Sequence, residues 1–383
     1  MGFDFDAPID RAYGEYRDST KWNKYAGRDI LPLWVADMDF AAPPAVVEAL
    51  HRRVAHGVFG YGQPWPSLHD AVLEHLEREY GWRIDPSWIV WLPGLVTGLA
   101  VACRATGTPD GAVFTATPVY PPFLHVPVEA GRRCASVPLG RGSARWEWDF
   151  AAAGAELRRS RPSLWLLCHP HNPVGRAWTD AELRQVATLA EKHDLIVCSD
   201  EIHCDLLLEP GLRHRPLASL GPEIARRTIT LMAPSKTFNV PGLGCAFAVI
   251  SDSRLRRDFR AAMHGIVPHV NILGLAACEA ALREGGTWRA ELLDYLRGNA
   301  AAVADWSSRH PVLRTTPVEA TYLAWIDARA MDVPDPARHF EAHGVGLSDG
   351  RDFGAPGYVR LNFGCRRALL EEALARMEAA IRR

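Results

Sequence analysis

Lys236 stands where an apolar run has just ended. Thr228-Ile229-Thr230-Leu231-Met232 reads as a buried β-strand, and the break Ala233-Pro234-Ser235-Lys236-Thr237-Phe238-Asn239 follows it. Two upstream runs end in the same way. Leu195-Ile196-Val197-Cys198 leads into Ser199-Asp200-Glu201, and Leu164-Trp165-Leu166-Leu167-Cys168 leads into His169-Pro170-His171-Asn172-Pro173-Val174-Gly175. Three strands thus deliver a lysine, an aspartate and an asparagine at their C-terminal ends, where open α/β sheets place their active sites. A lysine with a depressed pKa can form a Schiff base and can later remove a proton. An ionised carboxylate can keep a pyridine nitrogen protonated. Together these are the parts of a pyridoxal-phosphate site.

Read alone, each residue also has a plainer use. The lysine suits a surface loop, the aspartate an N-cap, and Asn-Pro an ordinary turn. The order of the elements therefore matters. From about residue 88 strands and helices alternate, which predicts a mostly parallel sheet covered on both faces. Val113-Phe114-Thr115-Ala116 is one strand, and Asp180 to His193 is an amphipathic helix capped by Thr179. Pro43-Pro44 opens a helix, and Ser67 to Tyr80 forms another that Gly81 ends. After about residue 286 the pattern shifts to a helix through Leu292 and Leu296, short strands such as Thr321 to Ile326, and a final helix from Arg367 to Arg382.

Composition sets the bounds. A chain of 383 residues buries a large core and divides into two domains. The net charge of −2, without a basic stripe, argues against nucleic acid as a partner. No apolar run approaches the length of a membrane span, and the acidic start Met1-Gly2-Phe3-Asp4 lacks the regions of a signal peptide. Eight cysteines lack CxxC spacing, so no metal site is expected and a cytoplasmic chain with reduced thiols is the simplest reading.

In these residues the chain resembles fold-type I pyridoxal-phosphate enzymes of the class I/II aminotransferase superfamily. Within it the likeness is to the MalY/PatB-like cystathionine β-lyase (C–S lyase) branch. Trp34-Val35-Ala36-Asp37-Met38-Asp39-Phe40, His171-Asn172-Pro173-Val174-Gly175, Ser199-Asp200-Glu201-Ile202-His203 and Arg360-Leu361-Asn362-Phe363-Gly364-Cys365 carry it. The motifs span nearly the whole chain in the right order. The resemblance implies a mostly parallel seven-stranded sheet with helices on both faces, plus a smaller α+β domain. Residues 1–45 would be an N-terminal arm and part of the small domain, 46–285 the large cofactor-binding domain, and 286–383 the small C-terminal domain.

It also implies roles. Lys236 would bear pyridoxal 5'-phosphate and remove the substrate α-proton, and Asp200, thirty-six residues earlier, would partner the pyridinium nitrogen. Asn172 would donate to the phenolic oxygen, and Tyr120 would stack on the ring. The amides of Val96 and Thr97, at a helix start after Pro93-Gly94, would hold the phosphate with the hydroxyl of Ser235. Tyr61, in Gly60-Tyr61-Gly62, would reach a neighbouring subunit's phosphate, so a homodimer with shared sites is expected. Arg360 would clamp the substrate α-carboxylate through its planar fork. His203 falls in the cofactor-binding set, whereas His171 is given no role. Many aminotransferases carry a phosphate-binding arginine soon after the lysine. This chain has Asn239-Val240-Pro241-Gly242-Leu243-Gly244 there, a loss that the lyase branch shares.

The expected activity is α,β-elimination from L-cystathionine or other cysteine S-conjugates, giving a thiol, pyruvate and ammonia. An aminotransferase is the nearest alternative. A regulator that reuses the fold is a more distant one, because no added DNA-binding domain is evident. Trp65 and the N-terminal aromatics are candidates for shaping the thiol pocket.

Overall fold

The structure is a computed structural model that describes residues 2–11, 17–142 and 145–382. Its larger sheet has seven strands: β1 (Ile89–Leu92), β2 (Ala112–Thr117), β3 (Arg133–Pro138), β4 (Leu164–Cys168), β5 (Ile196–Asp200), β6 (Thr228–Met232) and β7 (Ala246–Val249). Their order across the sheet is β1-β7-β6-β5-β4-β2-β3. Only β7 runs antiparallel to its neighbours, so the expected mostly parallel sheet is present.

Both faces of the sheet's central strands are buried, which explains why those strands read as largely apolar runs, whereas the edge strand β3 has exposed positions. Residues still alternate between two cores. Phe114, Trp165, Leu167 and Val197 pack with Leu183 and Val186 of the helix Asp180–Lys192. Val113, Leu164, Leu166 and Cys198 pack with Leu95 and Leu99 of the helix Leu95–Ala105 and with Phe259. The helix at Asp180 begins on a full capping box. Thr179 accepts from the Glu182 amide while the Glu182 carboxylate accepts from the Thr179 amide.

The register explains why distant residues meet. Cys168 pairs with Asp200 across β4 and β5, and Asp200 pairs with Leu231 across β5 and β6. The three strands therefore end in line. Asn172, Asp200 and Lys236 follow within a few residues of that line.

A second, antiparallel sheet comprises β8 (Arg314–Thr315), β9 (Leu323–Asp327), β10 (Ser348–Asp349) and β11 (Tyr358–Asn362), in the order β8-β9-β11-β10. The helices Gly286–Ser308 and Arg367–Ile381 accompany it. The N-terminal arm packs here. Phe5 meets Phe40, Trp288 and Tyr295, and Leu31–Pro32 pairs with Val345–Gly346. Among the described residues no helix is long and apolar enough to cross a membrane.

Candidate active site

A cavity of about 180 Å³ lies at the C-terminal ends of the parallel strands. Asp200, Asn172 and Lys236 line it, as do Tyr120, His203, Ser235, Gly94 and Val96. Lys236, Tyr120 and Ala36 also line a wider cleft of about 430 Å³, which Arg360 closes from the second sheet. Lys236, with Tyr120 and Ala36, thus lies between an inner cavity and an outer cleft.

The Lys236 ammonium group donates to the carbonyl oxygen of Ala36 at 2.5 Å. Burial pushes its pKa down to about 8; Asp37 opposes that fall and Arg360 adds to it. The Tyr322 hydroxyl donates to the same carbonyl at 3.0 Å. Residues 34–40 form a strap held from both sides. Asn239 accepts from the Met38 amide and donates to the Met38 and Phe40 carbonyls, while Asn362 donates to the Val35 and Asp37 carbonyls. Beneath the strap, fully buried Lys21 pairs with Asp39 at 2.7 Å, and Arg11 pairs with Asp37 and Asp39.

Asp200 is buried, and one of its oxygens accepts from the Ile202 amide at 3.1 Å. No cation pairs with it among the described residues, and burial lifts its pKa to about 7. A buried carboxylate without a cation prefers to be neutral; a protonated ring nitrogen beside it would reverse that preference. Asn172 accepts from Arg360 at 3.1 Å, which leaves its NH₂ group free to donate. At the other end, Gly94 caps the helix Leu95–Ala105 with no side-chain partner for the first amides, and a Cβ there would meet nothing within 4 Å. That end offers bare N–H groups beside the Ser235 hydroxyl, an arrangement suited to a phosphate. Pyridoxal phosphate fits the cavity on these grounds. Its ring nitrogen would face Asp200, its phosphate the helix start, and its ring the Tyr120 wall.

Arg360 is buried on β11. It donates to the Trp34 carbonyl at 2.7 Å and to Ser348 at 3.3 Å, and its guanidinium lies 4.8 Å from the Phe353 ring centre. Its Nε has no partner, and burial lowers its pKa to about 10, still well above neutrality. An arginine pre-oriented at a cleft wall, with a spare N–H, suits a carboxylate ligand.

The chain matches the aminotransferase class I and II family over residues 28–377. It belongs to that family. It is 37% identical to cystathionine β-lyase PatB of Bacillus subtilis over 374 residues, covering 95% of this chain and 96% of the relative. Among solved structures it superposes on OvoB with a TM-score of 0.96 at 48% identity, covering 99% of both chains. Cystalysin of Treponema denticola, whose crystal structure contains pyridoxal 5'-phosphate, gives a TM-score of 0.94 at 31% identity, covering 100% of this chain and 99% of that one. The fold is the fold-type I arrangement of pyridoxal-phosphate enzymes, as expected.

Within this class I and II aminotransferase frame, Lys236, Asp200, Asn172, Tyr120, Val96, Ser235 and His203 share one cavity. Three expected residues do not line it: Arg360 stands on the outer cleft, and two others lie on neither. Thr97 sits one step further along the helix, and Tyr61 is fully exposed on the surface. Trp65 is also elsewhere: its indole N–H donates to Glu279 at 2.6 Å, in a groove with Arg52 and Arg283. Among the described residues, Trp34 is the N-terminal aromatic that lines the cleft. His171 is a structural residue, bonded to the Pro118 carbonyl at 2.8 Å. His203 is buried with its Nδ1 unpartnered, and burial drives its pKa down to about 3, so it is a neutral imidazole. Ala36, Tyr322 and Asn239 join the site without being expected from the sequence. For Ala36 the signal was present in the Trp34–Phe40 motif; for Tyr322 nothing local distinguished it from a core aromatic.

Proposed function

We propose that this protein is a pyridoxal-phosphate-dependent C–S β-lyase that cleaves L-cystathionine or other cysteine S-conjugates to a thiol, pyruvate and ammonia. The observation that carries it is the position of Lys236 between the inner cavity and the cleft closed by Arg360. The name of the PatB relative supports the lyase over the aminotransferase alternative.

Bound pyridoxal phosphate supplies a conjugated ring that takes up the electron pair left at the substrate Cα. The chain's own groups do the rest. Arg360 holds the substrate α-carboxylate and so fixes which Cα bond faces Lys236. The Lys236 amine, with its pKa near 8, removes the α-proton as a general base. Asp200 holds negative charge at the far end of the cavity, where it favours a protonated ring nitrogen. Asn172 donates inward from its NH₂ while Arg360 occupies its oxygen. Tyr120 walls the cavity, and the amides of Leu95 and Val96 with the Ser235 hydroxyl face the anionic end.

We further assign Tyr61 to a partner's site in a homodimer. Its full exposure, beside exposed Val54, Val58 and Phe59, favours a covered face in solution. Eight free cysteines suit the reducing cytoplasm, where we place the protein.

The test is to incubate the holoenzyme with L-cystathionine and no oxo acid, and to measure pyruvate and free thiol. Many turnovers per site are expected. A single turnover per site, rescued by an added 2-oxo acid, would instead establish the aminotransferase.

A further inference from the structure

The outer cleft is built differently from its inner end. Ala36, Tyr120, Lys236 and Arg360 form the inner end, whereas Lys24, Asp335, Arg338, Glu341, Asp349 and Asp352 line the outer part. A leaving thiol attached to the substrate β-carbon must extend past these outer charges.

Most of the outer carboxylates already have partners. Asp335 and Asp349 both accept from Arg351, at 2.6 Å for Asp335 and at 2.8 Å from Nε for Asp349. Glu341 accepts from Arg28 at 3.0 Å and from the Tyr25 hydroxyl at 3.1 Å. Three charges are left over. Lys24, Arg338 and Asp352 line the cleft without an ion pair among the described residues. Lys24 is not adrift: its ammonium lies 4.6 Å from the Trp34 ring centre, and the Trp34 carbonyl in turn accepts from Arg360. Arg338 is set by the helix Pro336–Ala342, where its amide donates to the capping Asp335.

Two spare cations and one spare carboxylate complement a ligand arm that carries a carboxylate and an ammonium group. An uncharged alkyl arm would answer none of them. We propose that the outer cleft is a subsite for the far end of the substrate, and that Lys24, Arg338 and Asp352 select thioethers whose leaving thiol bears its own carboxylate and ammonium. Lys24 and Arg338 bind the distal carboxylate and Asp352 the distal ammonium, through charge-assisted contacts that also steer the substrate into the cleft. The cleft volume of about 430 Å³ gives such an arm room. The proposal rests on the lyase reading for the identity of the inner end, and its test separates the two.

Lys236→Ala protein loaded with pyridoxal phosphate lacks the base, so it reports affinity without elimination. Its visible spectrum is titrated with L-cystathionine and with S-ethyl-L-cysteine, which lacks the distal charges. Adding Arg338→Met or Lys24→Met is expected to weaken L-cystathionine about tenfold and S-ethyl-L-cysteine less than twofold. Adding Asp352→Asn should do the same, more mildly. Equal weakening of both ligands, or no change for L-cystathionine in any variant, overturns the subsite. Absence of pyruvate from the wild-type enzyme strikes the lyase reading alone, because the affinity pattern is read without turnover.

Discussion

The amino group of Lys236 rests 2.5 Å from the carbonyl oxygen of Ala36, two hundred residues earlier in the chain. That contact ties the reactive lysine to a strap that the second sheet also grips, through Asn362 and Arg360. The lysine is thereby buried and aimed at once. Burial also makes its neutral form accessible.

The pH dependence of the lysine follows. The folded pKa of about 8 lies below the usual lysine value of 10.5, so the neutral amine gains population as pH rises through about 8. Apoprotein should capture pyridoxal phosphate with a rate that rises to a plateau around that pH. Asp37→Asn removes the negative charge that opposes the shift, and the midpoint should move lower. A midpoint that stays above 10 in the wild type would show the lysine to be solvated.

Lys236→Ala should lose the borohydride-trappable link between chain and cofactor while keeping its melting transition. Peptide mapping after reduction locates the link in the wild type. A reduced cofactor found on any other lysine would displace Lys236 from its role.

Asp200→Ala should cut turnover by at least 10²–10³-fold, the roughly 3–4 kcal/mol typical of a lost preorganised electrostatic contact. Cofactor affinity should fall as well, which equilibrium dialysis can measure. Near-normal turnover would remove Asp200 from the ring nitrogen.

Arg360→Lys retains the charge and loses the planar fork. KM for L-cystathionine should rise by about tenfold or more, as expected for one lost charged hydrogen bond worth roughly 1.5–3 kcal/mol. kcat should also fall, because the carboxylate no longer fixes the Cα–H bond. Steady-state kinetics that match the wild type would move the carboxylate site elsewhere.

Tyr61→Phe protein mixed with Lys236→Ala protein should regain activity once subunits exchange, since one site in each heterodimer is then whole. Exchange is followed by native mass spectrometry. Exchange without recovery would confine Tyr61 to its own chain.

The sequence by itself determined the central strands and their ends, whereas the strands Arg133–Pro138 and Ala246–Val249 became legible only in the folded sheet. Largely apolar runs followed by Asn172, Asp200 and Lys236 are a local signal, because a strand buried on both faces admits no charged residue and only small hydroxyls before its end. The helix Asp180–Lys192 was legible for the same reason: its cap and its apolar spacing are written in consecutive residues. What only the tertiary structure decided is which backbone groups the site uses. Ala36 offers a carbonyl, and no side-chain code marks a carbonyl that will accept from Lys236 and Tyr322. Trp65 and Trp34 look alike as aromatics near the N-terminus, yet one pairs with Glu279 and the other lines the cleft. The spare charges of Lys24, Arg338 and Asp352 are likewise invisible in sequence. A charge is spare only by subtraction, after Arg351 and Arg28 have taken their partners across the folded chain.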